Sequence, residues 1–63
     1  MILKGIVSSI ENNGVRVTFK EKENIVSGTL SKAQHVDILE VGNNVVVAFF
    51  NNSKKSGIII AKY

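Results

Sequence analysis

The stretch that decides the fold is VGNNVVVAFFNNSKKSGIIIAKY, residues 41–63. It holds two runs rich in β-branched and aromatic residues, Val45–Phe50 and Ile58–Tyr63, joined by a polar turn rich in Asn. β-Branched and aromatic side chains fit a pleated, half-buried surface, whereas Asn, Gly and Ser favour turns. The stretch therefore predicts two paired strands, and in so short a chain it predicts a small antiparallel barrel.

Three further strand-like runs precede this hairpin. The first is Ile2–Ile10, which contains Gly5, and the Asn13-Gly14 step that follows it is a strong hairpin signal. In the second run, Val15, Val17 and Phe19 alternate with polar residues, as expected of a strand with one wet face. The third is Ile25–Leu30, where Gly28 predicts a bulge or bend at a barrel corner.

Two short polar segments separate these runs. Glu21–Asn24 is charged throughout most of its length and predicts a solvated hairpin tip. Ser31-Lys32-Ala33-Gln34 has the form of a capping box and predicts a single helical turn. We therefore expect one all-β domain, residues 1–63, built as a five-stranded antiparallel barrel of the oligonucleotide/oligosaccharide-binding (OB) type. Its short helical turn would lie between strands three and four, and the small Src-homology-type barrel is the nearest rival.

The bulk composition limits the class of protein. With 63 residues, of which 44% are hydrophobic, the chain can build one compact core but stands near the lower size limit for independent folding. It has no Cys, so neither disulfides nor a thiolate metal site is available. The longest apolar run, Val45–Phe50, is too short for a membrane helix, and Met1–Lys4 does not resemble a signal peptide. We expect a cytoplasmic protein.

Both faces of the last two strands are apolar. Val45, Val47 and Phe49 would point to one side, and Val46, Ala48 and Phe50 to the other, while Ile58 to Ala61 repeats this pattern. A barrel interior uses only one face, so the other must be covered by the helical turn, the chain ends or another subunit. For the last case we predict a protein interface anchored by Val46, Phe50 and Ile59.

The sequence does not predict an enzyme. His35 and Asp37 are two residues apart, but two ligands do not make a metal site, and no cofactor is indicated. The carboxylates lie in predicted turns or connectors, where nothing fixes a pair across a cleft. The serines lack a nucleophile-elbow context and the glycines do not form a phosphate-binding loop.

Binding of single-stranded nucleic acid, RNA in particular, is the alternative function. OB barrels bind single strands through aromatic platforms in a basic groove. The candidate phosphate contacts are Arg16, Lys20, Lys22, Lys54 and Lys55. The net charge of +3 is mild and the chain has no Trp, so we expect such binding to be weak.

Most of the chain resembles the OB domain of phage baseplate assembly protein V and tail-spike (gpV-like) proteins. The most specific part is the Val-Gly-x-x-Val-x-Val pattern from Val41, a polar turn and the apolar ending Gly57–Tyr63. The other segments that carry the resemblance are Gly5–Ile10, Gly14–Phe19 and Asn24–Ser27. The resemblance implies a non-enzymatic protein-interaction or assembly module of a phage or prophage tail or baseplate, with a protein partner or self-association.

The chain also departs from that family. Gly28-Thr29-Leu30 stands where the family carries Trp, the loop before Val41 is shorter, and the sequence stops at Tyr63 where spikes continue into a β-helical needle. A stand-alone barrel favours an adaptor over a piercing role. Val26-Ser27-Gly28, His35–Gly42 and Lys54–Ile59 are also similar to the barrel of bacterial translation initiation factor one, which binds ribosomal RNA.

Overall fold

The computed structural model describes residues 1–50 and 57–63, and these form a curled β-sheet with one 3₁₀ turn. The turn, η1, spans Lys20–Lys22. The six strands are β1 Ile2–Glu11, β2 Gly14–Phe19, β3 Ile25–Val26, β4 Ser31–Lys32, β5 Asn44–Phe49 and β6 Gly57–Lys62. The predicted all-β fold class is thus confirmed. None of the helical structure in the described ranges has the length and hydrophobicity that a membrane-spanning helix requires.

The strand order is β3-β2-β1-β5-β6-β4, and both outermost strands belong to one segment of chain. This segment, residues 25–32, runs along β2 and then turns to pair with β6. Leu30 and Val15 exchange two backbone hydrogen bonds, of 2.8 and 2.9 Å, between these two pairings. The pairings therefore close into a ring, in which the β4–β6 pair is parallel and the other strand pairs are antiparallel.

The inward side chains alternate as the period of the strands requires. Val15, Val17 and Phe19 of β2 are buried, and the rings of Phe19 and Phe49 meet edge to face with centroids 5.7 Å apart. The rest of the core comes from the other strands and from the connector, residues 33–43: Val7, Leu30, Val36, Leu39, Val45, Val47 and Ile59. The core is therefore assembled from β1, β2, β5 and β6, from Leu30 and from the connector, whereas both residues of β3 and of β4 are exposed.

Close packing inside this ring explains Gly5 in the middle of β1. A Cβ added at Gly5 would lie 2.3 Å from Cγ1 of Val17 and 3.1 Å from the ring of Phe19. No side chain fits there without moving the core. The predicted hairpin between β1 and β2 is present, but its two-residue turn is Asn12-Asn13, and Gly14 opens β2 opposite Glu11.

Two details differ from the sequence prediction. The third predicted strand, Ile25–Leu30, is shortened to β3, and a separate strand, β4, follows it, so there are six strands instead of five. The helical turn is wrong in position: it lies between β2 and β3. Ser31 and Lys32 instead pair with β6, and the Ala33 N–H donates to the Ile59 carbonyl at 2.9 Å. Sheet pairing across the barrel outweighs the local capping preference at this segment.

Candidate functional site

The outward side chains of β1, β5 and β6 are arranged in rows by the strand register. Ile2 pairs with Ala48, and Ala48 pairs with Ile58, which gives one row across three strands. The second row consists of Lys4, Val46 and Ala61. We call the apolar members of these rows the apolar outer face: Ile2, Val46, Ala48, Ile58 and Ala61.

This face is open to solvent. Ile2 is 61% exposed, whereas Val46, Ala48, Ile58 and Ala61 are half-buried by their own neighbours. Their inward neighbours along the strands, Val45, Val47 and Ile59, already fill the core. The apolar outer face is thus not part of the core, and its small Ala side chains keep it nearly flat. A low, apolar sheet surface is suited to packing against another protein surface.

The three predicted interface anchors have different positions. Val46 lies on the apolar outer face, and Phe50 follows the end of β5 with 70% of its surface exposed. Ile59 is wrong as an anchor because it is fully buried and pairs with the inward Val47. A bulge in the β5–β6 pairing leaves Ile60 between the paired positions, so Ile58 and Ala61 both face outward.

The predicted phosphate contacts also have different surroundings. Nε of Arg16 pairs with Oε2 of Glu11 at 2.6 Å, so this guanidinium already has an anionic partner. Lys20 and Lys22 are exposed on η1. Lys54 and Lys55 lie outside the described residues. Of the predicted set, the structure thus describes Arg16, Lys20 and Lys22, and Arg16 is engaged in an ion pair.

A shallow depression on the outside of β1 and β2 gathers a different set. Its volume is about 140 Å³, and Lys4, Lys20 and Tyr63 are among the residues that line it. Sequence reasoning missed Lys4 as a site residue, although its alternation with Gly5 and Leu3 in β1 indicates an outward side chain. Tyr63 could not be placed from the sequence, since its position depends on the backbone bond from its N–H to the Asn44 carbonyl.

A larger open groove of about 490 Å³ lies at one end of the barrel, between the β1–β2 hairpin and the connector. Ile10, Val15 and Leu30 contribute to its apolar lining, and Ile38 at its edge is 81% exposed. Glu11 also lines the groove, but its carboxylate is held by Arg16 and by the Ser9 hydroxyl. The Glu11 carboxylate is thus engaged in the barrel's own contacts.

Two of the residues considered for chemistry, His35 and Ser27, have structural partners. Nε2 of His35 lies 2.8 Å from the Ile60 carbonyl. The buried Ser27 hydroxyl accepts a hydrogen bond from the Val17 N–H and donates one to the Gly28 carbonyl. Within residues 1–50 and 57–63, no group of three or more His, Cys, Asp or Glu side chains could hold a metal ion.

Comparisons of the chain with family models, with curated proteins and with solved structures found no match. The function must therefore be argued from the surface of the barrel. Two surfaces are candidates on the geometry above: the apolar outer face, and the depression lined by Lys4, Lys20 and Tyr63.

Proposed function

We propose that the protein is a non-enzymatic interaction module that acts in the cytoplasm and docks through the apolar outer face. The observation that carries the proposal is the continuous row Ile2–Ala48–Ile58 on the outside of three adjacent strands. Transfer of each apolar side chain in this row from water to a protein interface would lower the free energy. An assembly such as a phage-type tail or baseplate is the setting that the sequence resemblance favours.

The size of the barrel makes such a face a substantial part of the molecule. The described surface measures 4117 Å². A standard interface buries roughly 800 Å² on each partner, which is about one fifth of that area. We therefore expect the interface to extend over the exteriors of β1, β5 and β6 together, with the apolar outer face at its centre and polar residues at its rim.

The charge around the face selects the kind of partner. Lys4 lies in the second row of the face, whereas Nζ of Lys62 donates to the Ile38 carbonyl and Glu11, the acidic residue of these three strands, stands at the far end of β1. Two copies docked face to face would bring like charges together, which is unfavourable. We therefore favour a different protein that presents an apolar surface with carboxylates at its edge.

The test uses the full chain, tagged and expressed in its source cells, as wild type and as two matched variants. Ala48→Glu places a carboxylate in the centre of the face, and Thr18→Glu places one on β2, outside it. Ala48 and Thr18 are both half-buried on the outer side of a strand. The protein that co-purifies with wild type is identified, purified and titrated against all three chains.

We expect Ala48→Glu to weaken this binding at least ~10-fold, a loss of about 1.4 kcal/mol, because it buries an unpaired charge against the apolar centre of the partner's surface. Thr18→Glu should stay within about twofold of wild type. Circular dichroism and thermal melting check that both variants fold. Equal affinity of wild type and Ala48→Glu would refute the docking face, and a wild-type dimer disrupted by Ala48→Glu would show self-docking instead.

A further inference from the structure

We propose that the depression lined by Lys4, Lys20 and Tyr63 binds one nucleotide of a single-stranded nucleic acid. This goes beyond the docking function, since it concerns a different ligand; the depression adjoins the apolar outer face and shares the row of Lys4 with it. Three distant parts of the chain bring the side chains of this depression to one place.

The register of the sheet builds the floor of the depression. Ile6 of β1 pairs with Thr18 of β2 on one side and with Asn44 of β5 on the other. These three side chains form a third outward row beside the row that contains Lys4. The floor therefore presents an apolar side chain between a hydroxyl and an amide, which are groups able to hydrogen-bond the edge of a base.

The walls supply a ring and two ammonium groups. Tyr63 follows β6 and is 63% exposed, and the Nζ of Lys4 lies 6.0 Å from the centroid of its ring. Lys20 is the first residue of η1, directly after β2. Lys4 lies over the ring, so a base that displaces it can stack on Tyr63 while the ammonium groups bind the neighbouring phosphates. The arrangement thus combines the two contacts that proteins use for single strands.

The site is small and its charge is modest. A depression of about 140 Å³ accommodates a single base, and Glu21 also lines it. Two lysines against one glutamate leave a local charge of about +1. We therefore expect weak and sequence-tolerant binding, in which stacking on Tyr63 contributes as much as the phosphate contacts.

The chain offers a built-in reporter for this site. Tyr63 is its only Tyr, and there is no Trp, so the intrinsic tyrosine fluorescence comes from Tyr63 alone. The probe is a short oligouridylate, titrated against the full chain. We expect saturable quenching of the Tyr63 fluorescence at the same concentrations that raise the anisotropy of a fluorescein-labelled oligouridylate.

The salt dependence counts the phosphate contacts. For single strands, the logarithm of the affinity falls linearly with the logarithm of the salt concentration, with a slope of about −0.7 for each phosphate contact. Two lysine contacts predict an approximately sevenfold loss between ~50 and ~200 mM salt, and Lys20→Ala should reduce that loss to about threefold. Lys32→Ala is the matched control, because Lys32 is also exposed but lines the groove at the barrel end. It should leave the slope unchanged.

Loss of the ring tests the stacking contact. Tyr63→Leu keeps an apolar side chain but removes the platform, and we expect roughly 5- to 150-fold weaker binding by anisotropy. Absence of quenching, an equal effect of Lys32→Ala and Lys20→Ala, or equally tight binding of inorganic polyphosphate would overturn the proposal. Ala48→Glu separates it from the docking function, since that variant should bind oligouridylate as wild type does.

Discussion

Ala48 and Ile58 are cross-strand partners on the outside of the barrel, and the next pair along the same two strands, Val47 and Ile59, is buried. Two adjacent pairs of apolar residues thus face opposite directions across the same two strands. The inward pair fills the core, so the outward pair is not needed to complete it. This relationship separates residues that stabilise the fold from residues that are available to a partner.

Substitution of adjacent isoleucines should show this separation in the free energy of unfolding. Ile59→Ala deletes a fully buried side chain and should cost about 2–5 kcal/mol. Ile58→Ala removes a half-buried outer side chain and should cost less than about 1.5 kcal/mol, since water already reaches it. Urea denaturation of both variants gives the comparison. Equal losses would contradict the assignment of β6 to two faces.

Gly5 should not tolerate a methyl group. Gly5→Ala would place a Cβ 2.3 Å from Val17, and overpacking of this kind costs about 1–3 kcal/mol. Gly28→Ala is the control, because a Cβ there meets nothing within 4 Å, and it should stay within about 0.5 kcal/mol of wild type. Combining Gly5→Ala with Val17→Ala should destabilise less than the sum of the two single changes. Strict additivity would mean that the two side chains do not collide.

The buried hydroxyl of Ser27 should stabilise the junction between β2 and β3. Its Oγ lies 3.0 Å from the Val17 nitrogen, and Ser27→Ala leaves that N–H without an acceptor. We expect a cost of about 1–3 kcal/mol and faster hydrogen exchange at the Val17 amide. Ser31→Ala, at an exposed position, should have little effect on either measurement. Unchanged exchange at Val17 in Ser27→Ala would show that this hydrogen bond is dispensable.

The Arg16–Glu11 ion pair should contribute little to stability. Their side chains are 42% and 40% exposed, and pairs this open to solvent contribute about 0.2–1 kcal/mol. A double-mutant cycle with Arg16→Met and Glu11→Gln, measured by urea denaturation, gives the coupling energy. We expect it to fall towards zero at ~1 M salt, where the Debye length is about 3 Å. A coupling above ~2 kcal/mol, or one insensitive to salt, would be inconsistent with a solvent-screened pair.

Strand locations could be predicted from the sequence because the alternation of apolar residues and the Asn-Gly signal are local. The inward side of β2 and β5 followed from the same alternation, and the bend at Gly28 from its position inside an apolar run. These features depend on the period of a strand and on turn chemistry, both of which are properties of neighbouring residues.

The outward side of β6 could not be predicted, because it depends on the register with β5. The bulge at Ile60 changes which residues of β6 face outward, and no local signal in Gly57–Lys62 marks it. The capping-box residues Ser31 and Lys32 became a strand for a similar reason: their partner in β6 is distant in sequence. The depression is also non-local, since Lys4, Lys20 and Tyr63 meet only after the ring of strands closes.

Site-specific photo-crosslinking tests the docking face most directly. The photoreactive residue p-benzoylphenylalanine would replace Ala48 in one form of the tagged chain. In a second form it would replace Asn12, which lies in the β1–β2 turn, at the opposite end of β1 from Ile2. Both forms are irradiated in the source cells. We expect a discrete crosslinked protein from position 48 and none from position 12. A chain that crosslinks only from position 12, or from neither position, would contradict docking through the apolar outer face.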